Sequence, residues 1–235
     1  MIIAVDIETR GLDARKFLMA CLIKDSGKKK FFYDKSDLWE YIIELGKKEM
    51  RRGKVLTVYS HNAQFDFYGY ANIKDPNIHY FCLRPFIAEY MINKIPRIYF
   101  LDSMGIFKMS LKKMGEIIGI PKMEMTPDLL DENKKWTKKE LKEKVAKYVE
   151  NDTKIVMEGI QMVKRKIKEE DMKIQRLYTT SQIAITYLMN KIAKSEKHKG
   201  LLEDVNNRIF PMTKYKKDVH SAYRGGKSDR EMGIS

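Results

Sequence analysis

The chain has 235 residues, 43% hydrophobic and 33% charged, a balance that excludes a mostly disordered polymer and leaves room for a substantial core. Its 46 Lys and Arg outnumber 32 Asp and Glu, and the resulting +14 favours a polyanionic partner. Cys21 and Cys82 lie inside apolar segments, which excludes a disulfide framework and suits a reducing compartment.

The first nine residues, Met1-Ile2-Ile3-Ala4-Val5-Asp6-Ile7-Glu8-Thr9, read as a strand rather than the basic-then-apolar order of a signal peptide, so a cytoplasmic location is expected. Alternate side chains of a strand share a face, so Asp6 and Glu8 point the same way and repel. A divalent cation relieves that cost, because hard cations prefer carboxylate oxygens. A strand that simply turns acidic toward water fits the same residues.

Arg10 to Arg15 read as a polar turn, followed by strands at Phe17 to Ile23 and Phe31 to Tyr33 around Ser26-Gly27. Their continuous apolar runs imply a sheet covered on both faces. Ser36 to Met50 sets Leu38, Tyr41, Ile42 and Leu45 at helical spacing, and Gly53 precedes a strand at Val55 to Tyr59. This alternation indicates an α/β layer structure. Tyr59-Ser60-His61-Asn62-Ala63-Gln64-Phe65-Asp66 then leaves the strand for a helix, at the kind of sheet edge where α/β proteins bind ligands. Ile78 to Leu83 and Arg97 to Asp102 read as further strands, and Ser110 caps a helix running through Ile118 to a stop at Gly119 and Pro121.

Thr137 and Glu140 have the spacing of a capping box, and a long helical pattern follows them. Tyr148, Asp152, Ile155 and Gly159 step along one side of it, so the Tyr148 hydroxyl and the Asp152 carboxylate address one point, although a core-facing tyrosine ring fits as well. The Lys-rich patches between Lys134 and Lys147 read as a solvated helix face. Leu177 to Asn190, the longest stretch free of Asp, Glu, Lys and Arg, is too short and too polar for a membrane helix of about 20 apolar residues. A helix is expected from Ser181 to about Ala193, then a polar segment from Ser195 to Asn207 and a Gly-containing stretch at Tyr223-Arg224-Gly225-Gly226.

In chain order, Asp-x-Glu on the first strand, Asn-x-x-Phe-Asp after a later strand and Tyr-x-x-x-Asp on a long helix resemble the three exonuclease motifs of the DEDD superfamily. The tyrosine variant is the one matched, since the histidine variant would need His at Lys147. The resemblance implies that Asp6, Glu8, Asp66 and Asp152 hold two divalent ions, Mg2+ or Mn2+, and that Tyr148 orients the attacking water. Two metals about 4 Å apart serve both ends of an in-line displacement at phosphorus, and four carboxylates neutralise two such ions. Tyrosine, with an ordinary pKa near about 10, suits water positioning better than general base duty at neutral pH.

Further matches are similar to the proofreading domain of family B DNA polymerases, in particular the protein-primed group of phages and mobile elements. Ser110-Leu111-Lys112-Lys113-Met114 resembles the Ser/Thr-Leu-x-x-hydrophobic motif, which implies contacts from Ser110 and Leu111 to the single-stranded primer end. Lys122-Met123-Glu124-Met125 resembles the Lys-x-x-hydrophobic motif, which implies that Lys122 sits on the scissile phosphate or metal-bound water; a solvated surface lysine also fits. Thr9, Tyr59, His61, Asn62 and Phe65 stand where family members contact the 3' end, and aromatic rings suit this work because every base has a face to stack on. Tyr223, Arg224, Gly225 and Gly226 resemble the Tyr-x-Gly-Gly motif that grips template strand between the two domains of such enzymes.

The chain carries no Asp-x-x-Ser-Leu-Tyr-Pro and no Tyr-x-Asp-Thr-Asp, so it is not expected to copy DNA alone; a freestanding nuclease, half of a split polymerase and a fragment all fit. The implied architecture is a ribonuclease H-like mixed sheet flanked by helices over residues 1–175, with a helical extension over 176–235. The acidic cluster is expected to lie in a basic groove, because a polyanion must reach carboxylates that would otherwise repel it. The expected activity is metal-dependent 3'-5' exonucleolysis of single-stranded DNA, with a separate polymerase subunit or domain as a further partner and a prokaryotic, viral or mobile-element origin. The reading from a different class is a DNA-binding accessory subunit with an idle nuclease site. RNA as substrate also stays open, since the choice rests on how a pocket treats the sugar 2'-hydroxyl.

Overall fold

The opening apolar run is a central strand of a seven-stranded sheet. In the computed structural model, which describes residues 1–194 except residues 12, 84, 126 and 132, this strand is β1 (Ile2–Thr9). It is followed by β2 (Phe17–Lys24), β3 (Lys29–Phe32), β4 (Leu56–Ser60), β5 (Ile78–Leu83), β6 (Phe86–Ile92) and β7 (Ile95–Asp102). Their order across the sheet is β3-β2-β1-β4-β7-β6-β5. β1 pairs parallel with β4, and β4 parallel with β7, while the flanking pairs are antiparallel. The carboxyl ends of β1, β4 and β7 therefore open at one edge of the sheet, where helices leave it. This is the mixed sheet flanked by helices that the ribonuclease H-like reading requires.

Because β2 is apolar on both sides and β1 is so except for Asp6 and Glu8 toward one of them, each sheet face carries its own core. Ile3, Val5 and Ile7 face α1 (Lys35–Arg51) and α2 (Ala63–Tyr70), where Trp39 meets Phe67 edge-on at 6.2 Å between ring centroids and stacks on Phe100 at 5.8 Å. Ala4, Met19, Cys21 and Tyr59 face the opposite layer of α4 (Leu111–Ile118) and α6 (Ala146–Glu169), which supplies Val149, Ile155, Val156 and Ile160. A short helix α3 (Met104–Phe107) links β7 to α4.

Several boundaries differ from the sequence reading for identifiable reasons. Helix α1 starts at Lys35, one residue before the expected Ser36, because Asp34 caps it, its carboxylate accepting the Ser36 and Asp37 N–H groups. Strand β6 was not anticipated: it joins β7 through Asn93 and Lys94, both at positive φ, a tight turn without the glycine that usually announces it. Ser110 and Gly119 do cap α4, with Gly119 in the left-handed region. The capping box at Thr137 and Glu140 forms as expected and opens α5 (Lys138–Glu140). The helical path then widens into a π-type turn over Leu141–Val145 before α6, so the long helix is not continuous.

The first compact unit of the chain is Met1–Ile183, which includes the start of α7 (Thr180–Lys194). Of the second, Ala184–Ser235, the helix to Lys194 is described. The polar segment Ser195 to Asn207 and the Tyr223-Arg224-Gly225-Gly226 stretch lie outside the described residues. Among the described residues no helix is long and apolar enough to cross a membrane.

Candidate active site

Strand alternation puts Asp6 and Glu8 on the same side of β1 as Ala4, the side that α6 covers. Tyr148 and Asp152, four residues apart on the buried face of α6, meet them there. One oxygen from each of Asp6, Glu8 and Asp152 lies within 4.8 Å of the other two. Asp66 comes from the first turn of α2, beyond the end of β4, and its Oδ1 accepts the Ile7 N–H at 3.2 Å. Asp66 is not one of the close trio, but its charge acts on Asp6.

Lys122 completes the site from the segment after α4. Its ammonium donates to the Tyr148 hydroxyl at 3.0 Å, pairs with Asp152 Oδ2 and lies 4.6 Å from the Tyr148 ring centre. The solvated-lysine alternative is thereby excluded. Asn151 holds the segment in place, its side-chain amide donating to the Pro121 carbonyl at 3.0 Å. The Tyr148 ring is buried, yet its hydroxyl faces the acidic residues rather than the core.

Electrostatics follow from packing like charges out of water. Asp6 is raised well above the ordinary carboxylate range, first by burial and then by the charges of Asp66, Glu8 and Asp152, with Lys122 opposing. Glu8 is raised to about 8 by burial and by Asp152. Asp66 is raised chiefly by burial, against the Ile7 hydrogen bond, and Asp152 by burial against Lys122. Burial lifts Tyr148 to about 12. Burial works to lower Lys122, but its bonds to Asp152 and Tyr148 prevail and raise it.

This donor set fits a hard divalent cation. Every candidate ligand is a carboxylate oxygen, and Asp152 Oδ1 is buried without any hydrogen-bond donor, an acceptor that a cation would satisfy. An acidic strand end turned toward water would show neither the burial nor the unpaired oxygen.

The residues expected at the 3' end divide. Asn62 is exposed beside the site, and His61 and Phe65 are half-buried next to it in sequence. His61 shares a hydrogen bond through Nδ1 with Ser103 Oγ at 2.9 Å, and burial pushes it below its ordinary value. Thr9 is buried and donates its hydroxyl to the Gly11 carbonyl at 2.8 Å. Tyr59 is a correction: only 1% of its surface is exposed, and its hydroxyl donates to the Leu177 carbonyl at 2.9 Å, so its ring has no free face for a base. Leu111 is likewise 9% exposed and packs in the α6-side core, while the exposed Ser110 side chain caps its own helix at Lys113 N–H, 3.3 Å away. Asp102 and Ser103, which close β7 against the His61-Asn62 turn, and Asn151 belong to no motif in the sequence; the polar pair ending an apolar strand run is the signal that marks the first two.

Fold and site together define a ribonuclease H-like α/β protein with a buried acidic centre suited to divalent cations. No family model matches the sequence, and no curated protein matches it. Among solved structures it is similar to Phi29 DNA polymerase complexed with primer-template DNA and incoming nucleotides (TM-score 0.58, 12% identity, covering 83% of this chain and 35% of that chain). The same polymerase complexed with single-stranded DNA gives TM-score 0.56 at 13% identity, again covering 83% of this chain and 35% of that one. At such identities the likeness is one of fold. The chain spans about a third of the length of the polymerase chains it matches.

Proposed function

We propose that this chain is a metal-dependent 3'-5' exonuclease that hydrolyses phosphodiester bonds at single-stranded 3' ends of DNA. The observation that carries the reading is the convergence of Asp6 and Glu8, from the first strand, with Asp152, from a helix far along the chain, and the unpaired buried oxygen on Asp152. Asp6, Glu8, Asp66 and Asp152 would hold the divalent ions, Mg2+ or Mn2+, which when bound activate water and stabilise the leaving oxygen. Tyr148, lifted to about 12, stays protonated at neutral pH and therefore positions water by hydrogen bond instead of accepting its proton. Lys122 stays charged and offers a point charge to the scissile phosphate while balancing Asp152. Asn62, His61 and Phe65 are the proposed contacts for the terminal nucleotides, with Phe65 stacking.

The fold likeness to a DNA polymerase, and its extent of about a third of that chain, support a proofreading-type domain of a protein-primed family B polymerase or a freestanding relative, with a polymerase subunit or domain as partner. A second reading, a DNA-binding accessory subunit with an idle site, draws support from the net charge of +14, which attracts a polyanion with or without catalysis.

A 5'-labelled single-stranded DNA oligonucleotide, incubated with Mg2+ or Mn2+, is expected to shorten from its 3' end in single-nucleotide steps, and chelator stops this. Asp6→Ala and Asp152→Ala should each lower the rate by about 10³-fold or more. Equal digestion by both variants would overturn the site assignment, and binding without cleavage in saturating Mn2+ would leave the accessory reading. The same ladder on RNA decides the sugar preference.

A further inference from the structure

The turn that carries His61 and Asn62 is laced to the end of β7 by bonds that no catalytic role accounts for. Ser60 and Asp102 are register partners at the carboxyl ends of the parallel strands β4 and β7. Beyond that pair, the Asp102 carboxylate, 8% exposed, accepts the Asn62 N–H at 3.0 Å and the Met104 N–H at 2.9 Å through the same oxygen, Oδ1. The Ser103 N–H donates to the Ser60 carbonyl at 2.9 Å. Asn62 itself has φ 63° and ψ 48°, the left-handed region, which asparagine tolerates better than most residues but does not adopt by default, so backbone bonds at this turn select it. It makes no side-chain cap to α2, so its amide side chain is left facing outward while its backbone is held.

From this geometry we infer that Asp102 is a positioning residue: its carboxylate holds Asn62 in the left-handed conformation and so aims the Asn62 side chain at the substrate strand. This rests on the exonuclease reading for its kinetic consequence, though not for its structural one. Asp102 is a hydrogen-bond acceptor here and is not one of the close carboxylate trio. An amide oxygen at the same position would accept both N–H groups equally well, whereas an alanine would leave them unpaired and the turn free to relax.

The test is a double-mutant cycle on the full chain, read by steady-state kinetics on single-stranded DNA and by amide hydrogen exchange at Asn62. Asp102→Ala should raise KM by about tenfold, with kcat moving less, and should speed exchange at the Asn62 amide, while Asp102→Asn recovers most of both. In an Asn62→Gly background, where the side chain is gone and glycine adopts the turn unaided, adding Asp102→Ala should have little further effect on KM. Additive losses in that background would overturn the inference, as would Asp102→Asn losing as much as Asp102→Ala. The exchange measurement needs no activity, so an inactive wild type would sink the exonuclease reading while leaving the hold on Asn62 to be judged separately. An unchanged Asn62 amide in Asp102→Ala would sink the hold whatever the kinetics.

Discussion

At Lys122 one ammonium satisfies two neighbours at once, the Tyr148 hydroxyl and the Asp152 carboxylate, in a pocket otherwise dominated by negative charge. It is the charge that lowers Asp6, Glu8 and Asp152 against the pull of burial. Replacing it by methionine, which keeps the stem but not the charge, should lower kcat by about 10²-fold. The acidic limb of the pH–rate profile should also move to higher pH, because the carboxylates then lose their protons later. A profile of unchanged shape measured with saturating cation would show that Lys122 acts on the phosphate alone.

At the scale of elements, α4 and the segment after it are what bring that lysine to α6. Gly115 makes this possible: a Cβ there would lie 2.4 Å from the Ile120 carbonyl oxygen, 3.1 Å from Ile155 Cδ1 and 3.4 Å from the Lys122 backbone nitrogen. The chain turns at Gly119, φ 78°, and folds back across the bare face of its own helix. Gly115→Ala must push backbone rather than a flexible side-chain end. It should destabilise the protein by about 1–3 kcal/mol in urea unfolding and reduce turnover beyond that loss, since Lys122 moves with the segment. A variant that unfolds earlier yet turns over normally would separate the packing of α4 from the delivery of Lys122.

For the whole molecule, the acidic centre makes stability depend on pH in an unusual direction. Asp6, Glu8, Asp66 and Asp152 all have raised pKa values in the folded protein. A raised folded value means that stability is fully present below the unfolded pKa and is lost as pH rises through the folded one. For Glu8 this window runs from the ordinary 4.5 to about 8. With chelator present, the melting temperature should therefore fall as pH is raised across that window. Mn2+ should restore it, with a larger upward shift at the alkaline end because the ligands must be deprotonated to bind. A Mn2+-induced shift that shrinks toward alkaline pH would contradict a carboxylate metal centre.

Much of the local architecture was legible along the chain, because alternation, helical spacing and capping are short-range. β1, α4 with its Ser110 and Gly119 caps and the Thr137-Glu140 capping box follow from neighbouring residues alone. β6 was not legible, since the Asn93-Lys94 turn is held at positive φ by strand pairing with β7 and not by glycine. The candidate site was readable as three separate acidic patches, and their order in the chain suggested the chemistry. Only tertiary packing decided which groups meet: parallel pairing of β1, β4 and β7 gathers strand ends at one edge, α6 lays Asp152 over them, and Lys122 folds in from outside. The same packing buries Tyr59, which the motif resemblance placed at the 3' end, with its hydroxyl bonded to the Leu177 carbonyl. Contacts between residues more than a hundred positions apart are set by how layers fill space, which no local pattern encodes.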